Sequence, residues 1–150
     1  MMWRDFIPAF WSRFSRTSTL GVKAVVVDSQ RRIFLVRHSY IAGWHLPGGG
    51  VEVGETLLVA LARELGEEGN IVPLQAPVLH GIFFNSRFSR RDHVAVFVIH
   101  DFRQDSAPEP NYEILEHGFF HIDALPHGTS PATQRRIAEV LQGAPVSEYW

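Results

Sequence analysis

The chain contains no cysteine. That absence removes disulfides, thiolate catalysis and thiolate zinc sites together, and it fits a reducing cytoplasm. Its apolar runs are no longer than a strand, so no membrane-spanning helix and no stable membrane insertion are expected. Asp5 and Pro8 interrupt the segment where a signal peptide needs an unbroken apolar run, which argues against a leader. Bulk basicity is missing too. Fourteen Lys and Arg against 16 Asp and Glu give a formal charge of −2, which argues against a DNA-binding protein. There is no repeat, low-complexity tract or interdomain linker.

What is present is ordinary globular usage over 150 residues, 45% hydrophobic and 20% charged. A chain of this length buries roughly two-thirds of its unfolded surface, enough for one core without a covalent staple. The charge is unevenly spread. Glu52, Glu55, Glu64, Glu67 and Glu68 face a single base, Arg63, so residues 52–68 carry −4 and the remainder of the chain +2.

Residues 1–19 form an extension, 20–142 the main domain and 143–150 a C-terminal tail. In the extension Trp3, Phe6, Ile7, Phe10, Trp11 and Phe14 recur at steps of three and four, the stripe of an amphipathic helix. Three readings of it stand: a helix packed on the body, a contact in a homodimer, or a membrane-surface helix, in that order. From Val22 the period changes. Val22–Val27 and Arg32–Arg37 flank Asp28-Ser29-Gln30 and predict a hairpin. Gly43–Gly50 reads as a rigid loop. A helix is expected over Thr56–Glu68, capped by Thr56, with Leu57, Leu58, Leu61 and Leu65 inward and Gly69-Asn70 as its stop. Strands follow near 78–85 and 92–102 around an Arg- and Ser-rich loop, then a strand near 118–122. A last helix spans Pro131–Leu141. Strands before, between and after two helices point to one mixed α/β domain.

Glu64, Glu67 and Glu68 stand at i, i+3 and i+4, which places three carboxylates on one side of one turn. Such a cluster repels itself unless a divalent cation joins it, and hard oxygen donors suit Mg²⁺ or Mn²⁺. Taken alone, the three residues read equally well as a solvated acidic face. Their surroundings separate the two readings. Gly49, five residues, Glu55, seven residues and then Arg63-Glu64-Leu65-x-Glu67-Glu68 reproduce the signature of the Nudix hydrolases, with one departure at Asn70, where the pattern has glycine. Leu46-Pro47-Gly48-Gly49, Gly54-Glu55-Thr56, the Thr19-Leu20-Gly21 lead-in, Trp44 and Phe119-Phe120 before Leu125-Pro126 also resemble that family.

The resemblance implies an α/β/α sandwich around a mixed β-sheet with a loop–helix–loop catalytic motif. It also implies hydrolysis of a phosphoanhydride in a small nucleoside diphosphate derivative with Mg²⁺ or Mn²⁺. Glu64, Glu67, Glu68 and the carbonyl of Gly48 would hold the metal. Arg63 would orient the glutamates and Glu55 would pin the loop to the helix. Glu64 is one candidate for the general base, with Glu113 and Glu116, on the approach to the last strand, as alternatives.

Arg87, Arg90 and Arg91 are candidates for the substrate phosphates, and a solvated turn is their plain reading. Tyr40, Trp44, Phe83, Phe84 and Phe88 include enough aromatics to stack a base. Neither the proline expected of ADP-ribose enzymes nor the tyrosine expected of dinucleoside polyphosphate enzymes occurs near Asn85–Ser89. The eight histidines are scattered, and His117 and His121 read as structural or solvated. RNA 5′-end pyrophosphate removal and a non-catalytic nucleotide-binding module are the alternative functions.

Overall fold

A computed structural model of the chain describes residues 17–109 and 111–150. The aromatic stripe at 1–16 lies outside the described residues. Within them the order is β1 (Thr19–Val26), β2 (Arg32–His38), β3 (Trp44–His45), β4 (Gly48–Gly50), α1 (Leu57–Gly69), β5 (Val72–Pro73), β6 (Val78–Phe84), β7 (Asp92–Ile99), β8 (Phe102–Arg103), β9 (Ile114–His121) and α2 (Pro131–Gln142). One mixed sheet runs β4-β1-β7-β6, with β1 parallel to β7 and antiparallel to β4. A second, antiparallel sheet runs β3-β2-β9, and β5 pairs with β8.

The predicted hairpin forms only at its turn. Asp28 accepts the amides of Gln30 and Arg32, and one bridge joins Val27 to Ile33. Beyond that bridge the arms part into different sheets. The residues explain why. Val22, Ala24 and Val26 bury against the α1 side, whereas Val25 and Val27 bury against the α2 side. β2 does the same with Phe34 and Val36 on one face and Ile33 and Leu35 on the other. Strands apolar on both faces need cover on both, and a two-stranded ribbon has none to give. Two core clusters result, one beneath each helix.

The stretch expected to be a loop, Gly43–Gly50, supplies the two short strands that tie the sheets together. β3 extends β2, and β4 extends β1. Gly48 has φ 140°, and a Cβ there would collide with the Val22 carbonyl, so only glycine fits.

α1 begins as predicted, with Thr56 Oγ1 accepting the Val59 amide at 3.1 Å. Its inward face is Ala60, Leu61 and Leu65, with Leu57 partly covered; Leu58, expected inside, is 48% exposed. The stop is one residue later than Gly69. Asn70 takes the left-handed conformation (φ 51°, ψ 38°) and returns its amide to the Gly66 carbonyl. Its side-chain amide also donates to Ser106. Gly69 is needed for a different reason: a Cβ there would sit 2.9 Å from the Phe34 ring and from Ile71. The departure from the family pattern is therefore conformationally silent, because asparagine is the residue that best tolerates this backbone after glycine.

β9 starts at Ile114, well before the predicted Gly118. α2 begins at Pro131 behind the Ser130 cap, as expected. The tail after α2 docks on the body. Phe84 pairs with Tyr149, and the Trp150 amide donates to the Phe84 carbonyl at 3.0 Å. Beneath it lies Arg136, fully buried, its guanidinium 3.9 Å over the Phe83 ring and bonded to Glu139 and the Tyr149 carbonyl. Sequence periodicity showed nothing of this, since an arginine on a helix reads as solvent-facing.

Replacing Asn70 by alanine keeps a Cβ in the left-handed backbone but removes the polar side chain that makes it tolerable and the bonds to Ser106, and should cost about 1–2 kcal/mol in urea unfolding. Asn70→Gly should lie close to the parent protein.

Candidate active site

Helical geometry decides how the three box carboxylates disperse. From Glu64, the residue three on is offset by about 60° in one sense and the residue four on by about 40° in the other. Glu67 and Glu68 therefore diverge. Glu68 is buried at 6% exposure and turns under the Gly48 turn, whereas the Glu67 side chain is 58% exposed and approaches Arg63 at 3.7 Å. Glu64 lies between them, largely enclosed. Among the described residues no three carboxylate or imidazole side chains form a ready-made cation cage. The expectation of three converging carboxylates reduces to two, Glu64 and Glu68, pressed against the Gly48–Gly49 backbone.

That approach depends on missing side chains. A Cβ on Gly49 would lie 2.5 Å from Glu64 Oε1. Glu68 Oε2 accepts the Gly48 amide at 2.9 Å, and its Oε1 meets His38 Nε2 at 2.8 Å. Burial raises the Glu64 carboxyl above the usual range, and the nearby Glu68 raises it further, while Arg63 pulls it back.

Arg63 is the cross-brace. Its Nε and Nη2 make a fork onto Glu55 at 2.9 and 2.8 Å, Nη1 donates to Glu64 at 2.9 Å, and Nη2 also reaches the Gly50 carbonyl at 3.2 Å. Glu55 closes the turn by accepting the Glu52 amide at 2.9 Å. The Arg63 fork, followed by that amide, holds the Glu55 carboxyl down at about 2. The helix, the loop after β4 and the edge strand are thus one braced unit.

Two residues at the site carry no motif signal. Lys23, the sole lysine of the chain, projects from β1 and donates to the Leu46 and Gly48 carbonyls at 3.1 and 3.2 Å. Burial lowers its pKa, with Glu68 and Glu64 acting in the opposite sense. His38 lies at the end of β2 on the α1 face. A charged residue inside the apolar Val22–Val27 run was a usable signal for Lys23. His38 had none.

The remaining predicted residues scatter. Trp44 is in the core, 9% exposed, its ring edge-on to Phe120 at 5.1 Å, because β3 is pinned between β2 and the Gly128–Thr129 turn. Phe83 is also fully buried. Glu116 pairs with Arg37 across the β2–β9 ladder, away from the box helix. Glu113 is nearer: it and Glu68 both act on Tyr40, whose hydroxyl burial and these charges push upward in pKa. Arg87, Arg90 and Arg91 are exposed on the β6–β7 loop. That loop contributes Asn85, Phe88 and Asp92 to a cavity of about 610 Å³ shared with β1 and the Gly49–Val53 segment. The loop and the box therefore border one hollow.

Donor chemistry fits a hard divalent cation. Two carboxylates press against the Gly48–Gly49 backbone, one on the Gly48 amide and one where a Gly49 Cβ would lie, and the glycines leave room beside them.

The family model for the NUDIX domain matches residues 17–141, and the chain belongs to that family. The structure resembles a MutT NUDIX hydrolase from Burkholderia pseudomallei with TM-score 0.69 and 26% identity, over 83% of this chain and 98% of that one. It shares its fold with an ADP-ribose pyrophosphatase from Streptococcus suis, TM-score 0.61 and 22% identity, over 89% and 96% of the two chains. An RNA pyrophosphohydrolase from Francisella tularensis is 38% identical over 59 residues, 39% of this chain and 38% of that protein. The chain spans half or less of the length of the curated relatives it matches first.

The Glu55–Arg63 brace makes an acid-side prediction. A carboxyl held at about 2 instead of its ordinary 4.5 stabilises the fold above pH 4.5, and that contribution is lost as pH falls towards 2. The protection factor of the Glu52 amide in hydrogen exchange should fall across that window. In Glu55→Gln it should be low and flat throughout.

Proposed function

We propose that the chain is a Mg²⁺- or Mn²⁺-dependent pyrophosphohydrolase that cleaves a phosphoanhydride in a small nucleoside diphosphate derivative in the cytoplasm. The observation that carries this reading is the single braced unit in which Glu64 and Glu68 press against the Gly48–Gly49 backbone, next to a segment that lines a cavity. Glu64, Glu68 and the Gly48 carbonyl would hold the cation, and Glu67, turned towards solvent, would reach it through water. When bound, it supplies positive charge for the diphosphate and acidifies a water molecule.

The chain's own groups do the rest. Arg63 fixes Glu64 against the loop and keeps its carboxylate from turning towards solvent. Glu64, its affinity for a proton raised by burial and by Glu68, is the group best suited to take the proton of the attacking water. Of the alternatives, Glu113 stands beside Tyr40 at the rim, whereas Glu116 is engaged by Arg37. Glu55 acts through Arg63 and touches no substrate. Arg87, Arg90 and Arg91, exposed on the β6–β7 loop that borders the cavity, would meet the substrate phosphates. Trp44, locked in the core, supports β3 and with it the Leu46–Gly48 turn.

The exposed arginine loop and the RNA pyrophosphohydrolase relative favour one second reading, removal of pyrophosphate from an RNA 5′ end. A panel of nucleoside triphosphates, sugar nucleotides, dinucleoside polyphosphates and 5′-triphosphorylated RNA, assayed for phosphate and pyrophosphate release, separates the two. At least one member should turn over with Mg²⁺ and stop on chelation; turnover indifferent to chelator would sink the proposal.

Glu68→Gln should reduce kcat by at least about 100-fold, with the far-UV circular dichroism unchanged. Glu67→Gln should also impair turnover, and normal rates in both variants would place the chemistry elsewhere.

A further inference from the structure

Glu68 is held at both carboxylate oxygens, by the Gly48 amide at 2.9 Å and by His38 Nε2 at 2.8 Å. A carboxylate oxygen accepts, so the imidazole proton resides on Nε2. The other ring nitrogen, Nδ1, is buried and has no hydrogen-bond partner among the described residues. The His38 side chain is 3% exposed, with Tyr40 and His45 at ring distances of 5.0 and 6.2 Å. A buried imidazole with one nitrogen unserved is a poor filler of core space, since apolar residues pack such positions without an orphaned lone pair. Its polar service goes to a single partner, Glu68.

Strand geometry makes that partnership possible. Alternation along β2 puts Phe34, Val36 and His38 on the face that meets α1, and Phe34 and Val36 continue into the core there. His38 is the polar end of that row and reaches Glu68 across the sheet–helix seam.

We propose that His38 is a positioning residue for the cation site. It holds the Glu68 carboxylate in one orientation, leaving one lone pair on each oxygen fixed in direction for a divalent ion. The proposal rests on the cation-site reading given above. It makes His38 a determinant of metal affinity, not only a link between β2 and α1.

The test is Mn²⁺ binding to the full chain without nucleotide, followed by electron paramagnetic resonance of the free ion, alongside thermal unfolding in chelator. His38→Leu should weaken Mn²⁺ binding about 10- to 100-fold. His38→Gln, which keeps an N–H donor at comparable reach, should recover most of that loss while its unfolding midpoint in chelator need not follow. Unchanged affinity in His38→Leu, or a His38→Gln variant as weak as His38→Leu, would overturn the role. If the leucine variant does not fold, nitrogen-15 spectra of the wild-type imidazole decide: saturating Mg²⁺ must shift the His38 Nε2 resonance, and an unmoved signal refutes the proposal. Wild-type protein that binds no Mn²⁺ removes the cation site itself. Wild-type binding with indifferent variants removes only His38.

Discussion

Two carboxylates one helical turn apart, Glu64 and Glu68, are pressed against a backbone that has no side chains to keep them away. Every other feature of the site answers that constraint. Gly48 and Gly49 exist as glycine because any Cβ would meet Val22 or Glu64. The charge brought in is then met from four directions: the Gly48 amide, His38, Arg63 and Lys23. Lys23 reaches the same Gly48 carbonyl that is proposed to face a cation, so a covalently attached positive charge already borders the position. An arrangement that gathers anions and then surrounds them with donors is held open by attraction on every side, which is the preorganisation that phosphoryl chemistry needs.

The sandwich follows from the same economy of space. β1 is one of the two inner strands of the mixed sheet and contributes to both cores, so it cannot shift towards either helix without opening the other. β4 adds three glycines to its edge, and α1 packs Ala60, Leu61 and Leu65 directly above. The distance between helix and glycine backbone is thereby set by the core and not by the acidic residues that depend on it. Arg63 adds the lateral brace. Packing supplies the separation and the ion pairs supply the alignment.

Much of this was legible in the sequence where a residue's role is local. The Thr56 cap, the helix after it, the Pro131 start of α2 and the spacing from Gly49 to Glu68 all depend on neighbours within a few positions. Asn70 also belongs here, since its backbone preference is intrinsic. What was not legible depends on partners far along the chain. The arms of the supposed hairpin look like a pair because β-branched runs around a turn usually are; only the demand for cover on both faces separates them. Leu58 was assigned inward from a four-leucine stripe, but the groove accepts Ala60 in its place. Trp44 resembles a stacking surface until β3 is seen pinned in a corner. Arg136 and the tail residues it anchors are invisible to periodicity, because a buried guanidinium requires an aromatic face and a carboxylate supplied by two other segments. His38 is the same case: its significance is a contact to Glu68 at a separation of 30 residues.

β1 and β7 pair in parallel along eight residues each, from Thr19–Asp92 to Val26–Ile99. Paired residues on the two strands are 73 apart in sequence, and the entire glycine turn and box helix lie in the stretch between them. Parallel pairing across such a separation pays the loop-closure entropy before contacts repay it. The glycine edge strand β4 has nothing to pair with until β1 is seated. The acidic helix has a local cap and local hydrogen bonds, but Glu68 finds its partners, the Gly48 amide and His38, on other elements. The binding chemistry therefore exists only in the assembled domain, because its carboxylates sit on one element and their donors on others.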